Sequence, residues 1–378
     1  MWSALYLRRI DLRQIVIILL LMGISLLIIS SYSYDLQVEK IPDFFSNKLV
    51  QVQIKSFFIG WCCFFFFAGL DYKVLQTWAP VIYVACILSL IGLFFSDPIQ
   101  RVHRWYRVPF INHNIQPSEY AKLALVITLS WYLERRSFAT RRMSTALGGL
   151  ALAMVPFILI LKQPDLGSSL VLFPIVLVMF YFGDLRKSIV RLLSFIGTFG
   201  LVIVFLFFSG IVSHEEAKPI ALNFIKEYQY ERLNPETHHQ KAASTAIAIG
   251  GVTGVGWHSS EYSKGGSLPA PFTDSVFCAF GEEFGFLGLL FVLVLFYSLV
   301  YCSFQVTCVA QDLFGRLLAA GISVLIAVHV CVNTGMMCGL LPITGVPLLL
   351  ITYGGSSVIS TMIALGILQS IYARRFMF

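Results

Sequence analysis

An all-α polytopic membrane fold of about ten transmembrane helices follows from three observations on this chain. Its 378 residues are 57% hydrophobic and only 12% charged, whereas soluble domains run at about 25% charged. Its mean hydropathy is +0.80. Apolar runs long enough to span a bilayer as helix, about 20 residues, recur from one end to the other. Backbone groups inside lipid must be satisfied within their own segment, which selects helices. Only short gaps separate most runs, so residues 1–378 read as a single integral membrane domain. The net charge of +7 is scattered between the runs, a pattern that fits anionic head groups and not nucleic acid. The eight cysteines, Cys62, Cys63, Cys86, Cys278, Cys302, Cys308, Cys331 and Cys338, sit in or beside apolar segments. They lack the spacing of a zinc site or a disulfide framework.

The first run, about Ile15 to Ser33, follows Arg8, Arg9 and Arg13 and has no small-residue cleavage site after it, so it reads as an uncleaved span. The later spans are expected at about 50–70, 76–96, 118–133, 146–162, 166–183, 189–212, 275–303, 315–337 and 345–371. On strict alternation one side collects Arg8, Arg9, Arg13, Lys73, Arg135, Arg136, Arg141, Arg142, Arg186, Lys187, Arg191, Arg316, Arg374 and Arg375. The other side holds fewer basic residues in short loops, notably Lys40, Lys48, Lys55, Arg101, Arg104, Arg107 and Lys162. The basic side, with both termini, is therefore expected in the cytoplasm, and the long polar segment 213–274 outside it as a large extracytoplasmic loop.

The stretch with the most chemistry runs from Leu268 to Gly285, where a polar loop enters an apolar segment carrying Asp274, Glu282 and Glu283. A carboxylate in hydrocarbon is costly, so acids there normally face a bundle interior or a wet cavity. Asp274 lies at the mouth. Glu282 and Glu283 fall about two turns deeper on one helix, which predicts a polar slot. The residues leave two readings of Asp274 open: a helix cap, a common use of Thr-Asp before an apolar run, or a general base that takes a proton from a substrate. If the reaction releases an anionic leaving group it also needs cationic help, from Arg104 and Lys122 or from a divalent metal, Mg or Mn.

Three other places carry polar groups. In Gln116-Pro117-Ser118-Glu119-Tyr120-Ala121-Lys122, near Arg104-Trp105, Ser118 can cap a helix, and Glu119 and Lys122 share a face at i and i+3. That pair reads equally as part of a site or as an interfacial ion pair with Lys122 snorkelling. Lys162-Gln163-Pro164-Asp165-Leu166-Gly167 reads first as a turn between spans. Pro342 to Pro347 and Tyr353-Gly354-Gly355-Ser356-Ser357 offer small residues for close helix packing. The glycines of 250–256 lack the Lys-Ser/Thr ending of a phosphate loop and read as packing. His238 and His239 read as solvated loop histidines. Asn223–Pro235, with Phe224, Ile225, Tyr228 and Leu233 among charges, reads as an amphipathic helix at the outer interface.

Taken together, Arg104-Trp105, Gln116-Pro117-Ser118-Glu119 with Lys122, Gln163-Pro164-Asp165-Leu166-Gly167, Ala246 to Gly250, Thr273-Asp274, Gly281-Glu282-Glu283-Phe284-Gly285, Asn333, Gly335, Met336 and Tyr353 to Ser356 resemble the SEDS family of bacterial cell-wall polymerases, its RodA branch above all. The resemblance covers nearly the whole chain. It implies ten transmembrane helices, a large external loop between the seventh and eighth, and polymerisation of lipid II into peptidoglycan beside a class B penicillin-binding transpeptidase in the cytoplasmic membrane. It further implies catalysis by Asp274, and a substrate site drawn from Arg104, Glu119, Lys122, Gln163, Asp165, Glu282 and Glu283. Departures from the family pattern lie close to the proposed chemistry. Where the family usually reads Leu-Pro-Glu-X-His-Thr-Asp this chain has Ala270 and Phe272, and a Gln-Ser pair appears as Ser244-Thr245. A lipid-linked-precursor transporter using Glu119, Lys122, Asp165, Glu282 and Glu283 as a polar path, and a catalytically altered scaffold, are the competing classes.

Overall fold

The computed structural model describes residues 9–32, 47–97, 102–108, 113–212, 214–222, 227–234 and 236–376. Arg8, Lys40, Arg101 and residues 223–226 with Pro235, all weighed above, lie outside that set. Among the described residues, ten helices of at least 17 residues form the bundle. They are α1 (Leu12–Ser31), α2 (Lys48–Gly69), α3 (Tyr72–Gly92), α4 (Pro117–Arg135), α5 (Met143–Lys162), α6 (Leu166–Phe182), α7 (Lys187–Phe208), α12 (Val276–Val309), α13 (Leu313–Met337) and α14 (Gly355–Ala373). Eight of these regions are long and apolar enough to cross a membrane; α6 is apolar but short, and α4 carries Glu119, Lys122, Glu134 and Arg135. Most of α4 is nonetheless buried, because neighbouring helices and not lipid surround Glu119 and Lys122, while Glu134 and Arg135 sit at its more open C-terminal end. The chain is a multi-pass membrane protein.

The helix ends follow from their caps. Asp11, Asn47, Asp71, Asp165 and Asp312 each accept a backbone N–H of the turn they precede, and Pro117 opens α4 at a position whose N–H has no helical partner anyway. Between α3 and α4 a short antiparallel pair, β1 (Tyr106–Val108) and β2 (His113–Ile115), brings Tyr106 opposite Ile115. The polar segment between α7 and α12 folds into four short helices: α8 (His214–Ala221), α9 (Glu227–Glu231), α10 (His238–Gly250) and α11 (Glu261–Lys264). The described part of the expected amphipathic helix is thus the single turn of α9. At the centre, α13 packs against α12, α6 and α4, while α14 lies along α2.

Two spans differ from expectation. The run 345–371 was expected to be one helix, yet α14 begins only at Gly355, and residues 345–354 take an irregular path with positive φ at Gly345, Leu350 and Gly354. Pro347 lacks the N–H that a helix needs and disfavours helix at the residue before it. Leu348 to Ile351 are at most 2% exposed, so their apolarity serves a protein interior, where irregular backbone is tolerated at membrane depth. The run 275–303 continues as α12 to Val309 and breaks inside, at Gly285, whose φ is 65° and ψ is −167°. A side chain there would meet the backbone nitrogen of Gly254 at 2.3 Å, so this crossing requires glycine. The 250–256 stretch seals the break: Val255 N donates to Glu282 O (3.0 Å), Gly256 N to Glu283 O (3.0 Å), and Phe286 N to Gly251 O (2.9 Å). This is the packing role read from its glycines.

Candidate active site

A cavity of about 780 Å³ opens at the end of the bundle that carries α8 to α11. Asp274 lines it, one residue before the N-cap of α12. Its backbone is held on several sides. Asn333, fully buried on α13, donates its amide to Asp274 O (3.2 Å) and Val346 O (2.8 Å); Thr352 donates its hydroxyl to Thr273 O (3.2 Å), and Tyr353 N donates to Phe272 O (2.9 Å). The side chain is free of such duty. No side chain caps α12, which removes the cap as the reason for an acid at position 274.

Gly345, with φ at +77°, sets the opposite wall, and a Cβ placed on it would stand 3.4 Å from Asp274 Oδ2. Any L side chain is strained at that φ by about 1–2 kcal/mol. Gly345→Ala is therefore expected to lower thermal stability modestly and cut turnover more than stability, because the wall bearing on the carboxylate must move. Parallel melting and rate measurements check this; an alanine variant with full activity would show that the wall does not position Asp274.

The other charges come from separate elements. Arg104 reaches in ahead of β1, its Nε donating to Gln163 O (2.9 Å) and its Nη2 to Pro164 O. Asp165 accepts from Gln116 Nε2 (3.1 Å), the Ser118 hydroxyl (3.2 Å) and, as the cap of α6, Ser168 N (3.2 Å). The turn at 162–167 is thus a turn and a cavity wall together. Arg232 follows α9 and donates to Thr344 O at 3.2 Å, leaning across the mouth. His239 of α10 lines the cavity as well, and its Nε2 stands 2.7 Å from Ser275 Oγ. Burial raises the pKa of Asp274 above the ordinary value of 3.8, Asp165 adds to the rise, and Arg232 and Arg104 oppose it. Burial and His238 lower that of His239.

Of the residues selected from sequence, the fold brings Arg104, Asp165 and Asp274 to the cavity and not the others. Gln163 is buried behind it, its amide donating to Leu90 O (3.0 Å), and it contributes the carbonyl that seats Arg104. Glu119 and Lys122 are sealed inside the bundle: Lys122 Nζ is 2.7 Å from Glu119 Oε1 and 2.7 Å from His329 Nε2. Their face of α4 turns to α13, so neither snorkelling nor cavity lining applies. Glu282 and Glu283 also lie elsewhere, about two turns deeper along α12, where they face the segment around α11 and not the cavity. Glu282 accepts from Tyr262 N (3.1 Å), Ser263 N (3.1 Å) and the Ser263 hydroxyl, and Glu283 from the Ser260 hydroxyl (2.8 Å) and that of Ser31. They pin the loop, and the expected slot is not continuous with Asp274.

Sequence reasoning missed Arg232, Glu231 and His239 as cavity residues, and no local signal marks them. Gln116 and Ser356 stood in motifs without an assigned role; Ser356 Oγ accepts from Gln116 N (3.0 Å) and donates to Asn114 O (2.8 Å), closing the wall between α14 and β2. Ala270 lines the cavity and holds a φ of +50°, while the Phe272 ring packs edge-on to Tyr353 at 5.8 Å. Ala270 and Phe272 therefore alter the rim of the cavity and leave the Asp274 backbone contacts intact.

A helical bundle that opens at one end into a cavity carrying three acids and two arginines defines a membrane protein with a site for a charged ligand. The chain belongs to the FtsW/RodA/SpoVE family of cell cycle proteins, whose model matches residues 12–376. It is 31% identical to the peptidoglycan glycosyltransferase MrdB of Escherichia coli (strain K12) over 315 residues, 80% of each chain. It is 30% identical to stage V sporulation protein E of Bacillus subtilis (strain 168) over 366 residues, 96% of each. Among solved structures, a chain from "Structural coordination of polymerization and crosslinking by a peptidoglycan synthase complex" aligns over 100% of both chains with a TM-score of 0.77 at 24% identity. The Thermus thermophilus rod shape determining protein RodA aligns over 99% of both at 0.70 and 24%. These two carry the fold.

Proposed function

We propose that this protein is a peptidoglycan glycosyltransferase that polymerises lipid II into glycan strands for cell-wall elongation and cell shape, with Asp274 as general base. The observation that carries the assignment is a carboxylate on the wall of a polar cavity, released from capping and raised in pKa, with two arginines close enough to oppose that rise. Deprotonated Asp274 takes the proton of the acceptor sugar hydroxyl as its oxygen attacks the anomeric carbon of the growing strand. Attack comes from the face opposite the pyrophosphate, as in inverting glycosyl transfer. Arg104 and Arg232 hold the charge that develops on the departing pyrophosphate. Arg232 thus takes the place that sequence reasoning gave to Lys122.

Among the described residues no cluster of three or more His, Cys, Asp or Glu forms a metal centre. Magnesium needs less, since it keeps waters and shares phosphate oxygens with its substrate, using one or two carboxylates. Asp165 and Asp274 on one cavity fit that demand, and a Mg or Mn ion held there would supply further charge neutralisation. The transporter reading fails to find its path: Glu119 and Lys122 are closed against His329, and Glu282 and Glu283 against the external segment.

The protein works in the bacterial cytoplasmic membrane with both termini inside, in complex with a class B penicillin-binding transpeptidase, a reading supported by the likeness of its fold to a chain of a synthase complex in which polymerization and crosslinking are coordinated. Purified complex given lipid II is expected to form strands; a folded, monodisperse complex that forms none would overturn the assignment. For orientation, a cysteine at Lys241 in α10 should label from outside intact cells, and one at Arg141 between α4 and α5 only after permeabilisation, each on a cysteine-free background. The reverse pattern would invert the map.

A further inference from the structure

We propose that His239 is a positioning residue for Asp274: its Nε2–H donates to Ser275 Oγ and so locks the turn that presents the Asp274 carboxylate to the cavity. The inference rests on the glycosyltransferase reading and adds to it a residue that the motifs of the site do not contain.

Three observations converge on this contact. Ser275 stands at the N-cap of α12, where a serine ordinarily accepts a backbone N–H of the first helical turn, yet it makes no such bond. Its hydroxyl is instead 2.8 Å from Pro269 O and 2.7 Å from His239 Nε2. A carbonyl only accepts, so the single hydroxyl proton goes to Pro269, and Nε2 must be the donor to the serine oxygen. The bond therefore fixes the tautomer of His239, and it persists in the imidazolium, which also carries Nε2–H.

The turn needs this brace. Ala270 is held at a φ of +50°, a left-handed conformation that a residue with a Cβ adopts only under constraint from its surroundings. Thr273 N and Ser275 N both donate to Ala270 O, at 3.2 and 3.1 Å, so the strained residue is also the hub of the turn. The Ser275 hydroxyl ties the far end of the turn back to Pro269, and His239 ties it to α10. That helix is itself a fixed mount, because Gln240, next along the chain, is buried and donates to Met336 O of α13 at 2.8 Å. Asp274 is thus held through Asn333 from α13 and through Ser275 from α10. The charged or titratable groups sharing the cavity are Asp274, Asp165, Arg104, Arg232 and Glu231, with His238 beside His239 on its own helix. None of them is needed for the bond, whose role is geometric.

A misplacement on the order of 1 Å at a reacting group costs about 100-fold in rate. In the purified complex, His239→Leu is expected to lower kcat for strand formation about 10- to 100-fold with KM for lipid II within about threefold. His239→Gln, whose side-chain amide can present an N–H to the same oxygen, should recover kcat to within about fivefold of the parent. Ser275→Ala, which also releases Pro269, should lose at least as much as His239→Leu, and the double variant no more than Ser275→Ala, because the His239 bond is already gone. The acid limb of the pH profile should keep its midpoint in His239→Gln. If His239→Leu does not fold, Gln and Ser275→Ala decide. Full kcat in His239→Leu or Ser275→Ala, a Gln variant no better than Leu, losses confined to KM, or independent and multiplicative losses in the double would each overturn the proposal while leaving the glycosyltransferase reading in place. Absence of polymerisation by the parent overturns both.

Discussion

Asp274→Asn is expected to stop strand formation while leaving the protein folded. Asparagine keeps the size of the side chain but cannot take up the hydroxyl proton, so the rate should fall by about 10²–10⁴-fold or more. Folding should not suffer, and the sign is set by burial. A carboxyl whose pKa is raised in the fold contributes stability that is complete below its unfolded pKa and lost as pH rises through the folded one. At neutral pH the ionised Asp274 therefore works against the fold, and the neutral amide relieves that. The Asn variant should melt at or above the temperature of the parent. The contacts that hold the 272–274 backbone, from Asn333, Thr352 and Tyr353, do not involve the carboxylate and remain.

The same shift predicts the parent's pH dependence. The base acts only when deprotonated, so activity should fall as pH drops through a midpoint above the ordinary 3.8. Arg104→Gln and Arg232→Gln remove the cations that oppose the shift, and each should move that midpoint further up. Strand formation from lipid II by monodisperse parent and Asn complexes, with melting curves on both, tests the assignment. If the Asn protein polymerises at a rate near that of the parent, the base lies elsewhere.

What the sequence could show and what it could not divide along a physical line. Span positions were legible because about 20 apolar residues in a row have few alternatives in a folded chain. Asp274 was legible as a cavity residue because an acid at a membrane boundary demands a reason, whereas Asp165 read from its residues as an ordinary turn and entered the site only through the family resemblance. The start of α14 was not: Leu348 to Ile351 are as apolar as a lipid-facing helix, and only tertiary burial shows that they line an interior. Glu282 and Glu283 misled for a related reason. Membrane acids are usually functional, but these two accept hydrogen bonds from Ser31, Ser260 and Ser263, partners that helix periodicity does not reveal. Arg232 falls among the charges of the expected amphipathic helix and His239 among the residues read as solvated loop, so nothing local marked either as part of a site. Only the fold brings them to Asp274.

The second large effect is expected at Glu119 and Lys122, and it is one of stability. Their charges are 2.7 Å apart with side chains 3% and 2% exposed, and His329 Nε2 lies 2.7 Å from the ammonium. His329 Nδ1 stands 2.8 Å from Leu325 O; a carbonyl only accepts, so the ring proton sits on Nδ1 and Nε2 accepts from Lys122. Lys122→Met leaves a buried carboxylate without a partner, at a cost of about 3–5 kcal/mol. Glu119→Gln should cost less, since the lysine keeps His329 and gains an amide oxygen. Joint replacement by Glu119→Leu and Lys122→Met removes both charges and strands only the neutral His329 Nε2, a penalty of about 1–3 kcal/mol. The ordering predicted for melting in detergent is therefore parent first, then Glu119→Gln and the double variant, with Lys122→Met lowest. Turnover distinguishes a structural pair from a site pair. Because neither side chain lines the cavity, the folded double variant should polymerise within about tenfold of the parent, the residual loss coming from the start of α4, where Gln116 and Ser118 hold Asp165. A double variant that melts like the parent yet forms no strands would return the pair to the reaction, with Lys122 acting on the substrate through an opening that the cavity does not now have.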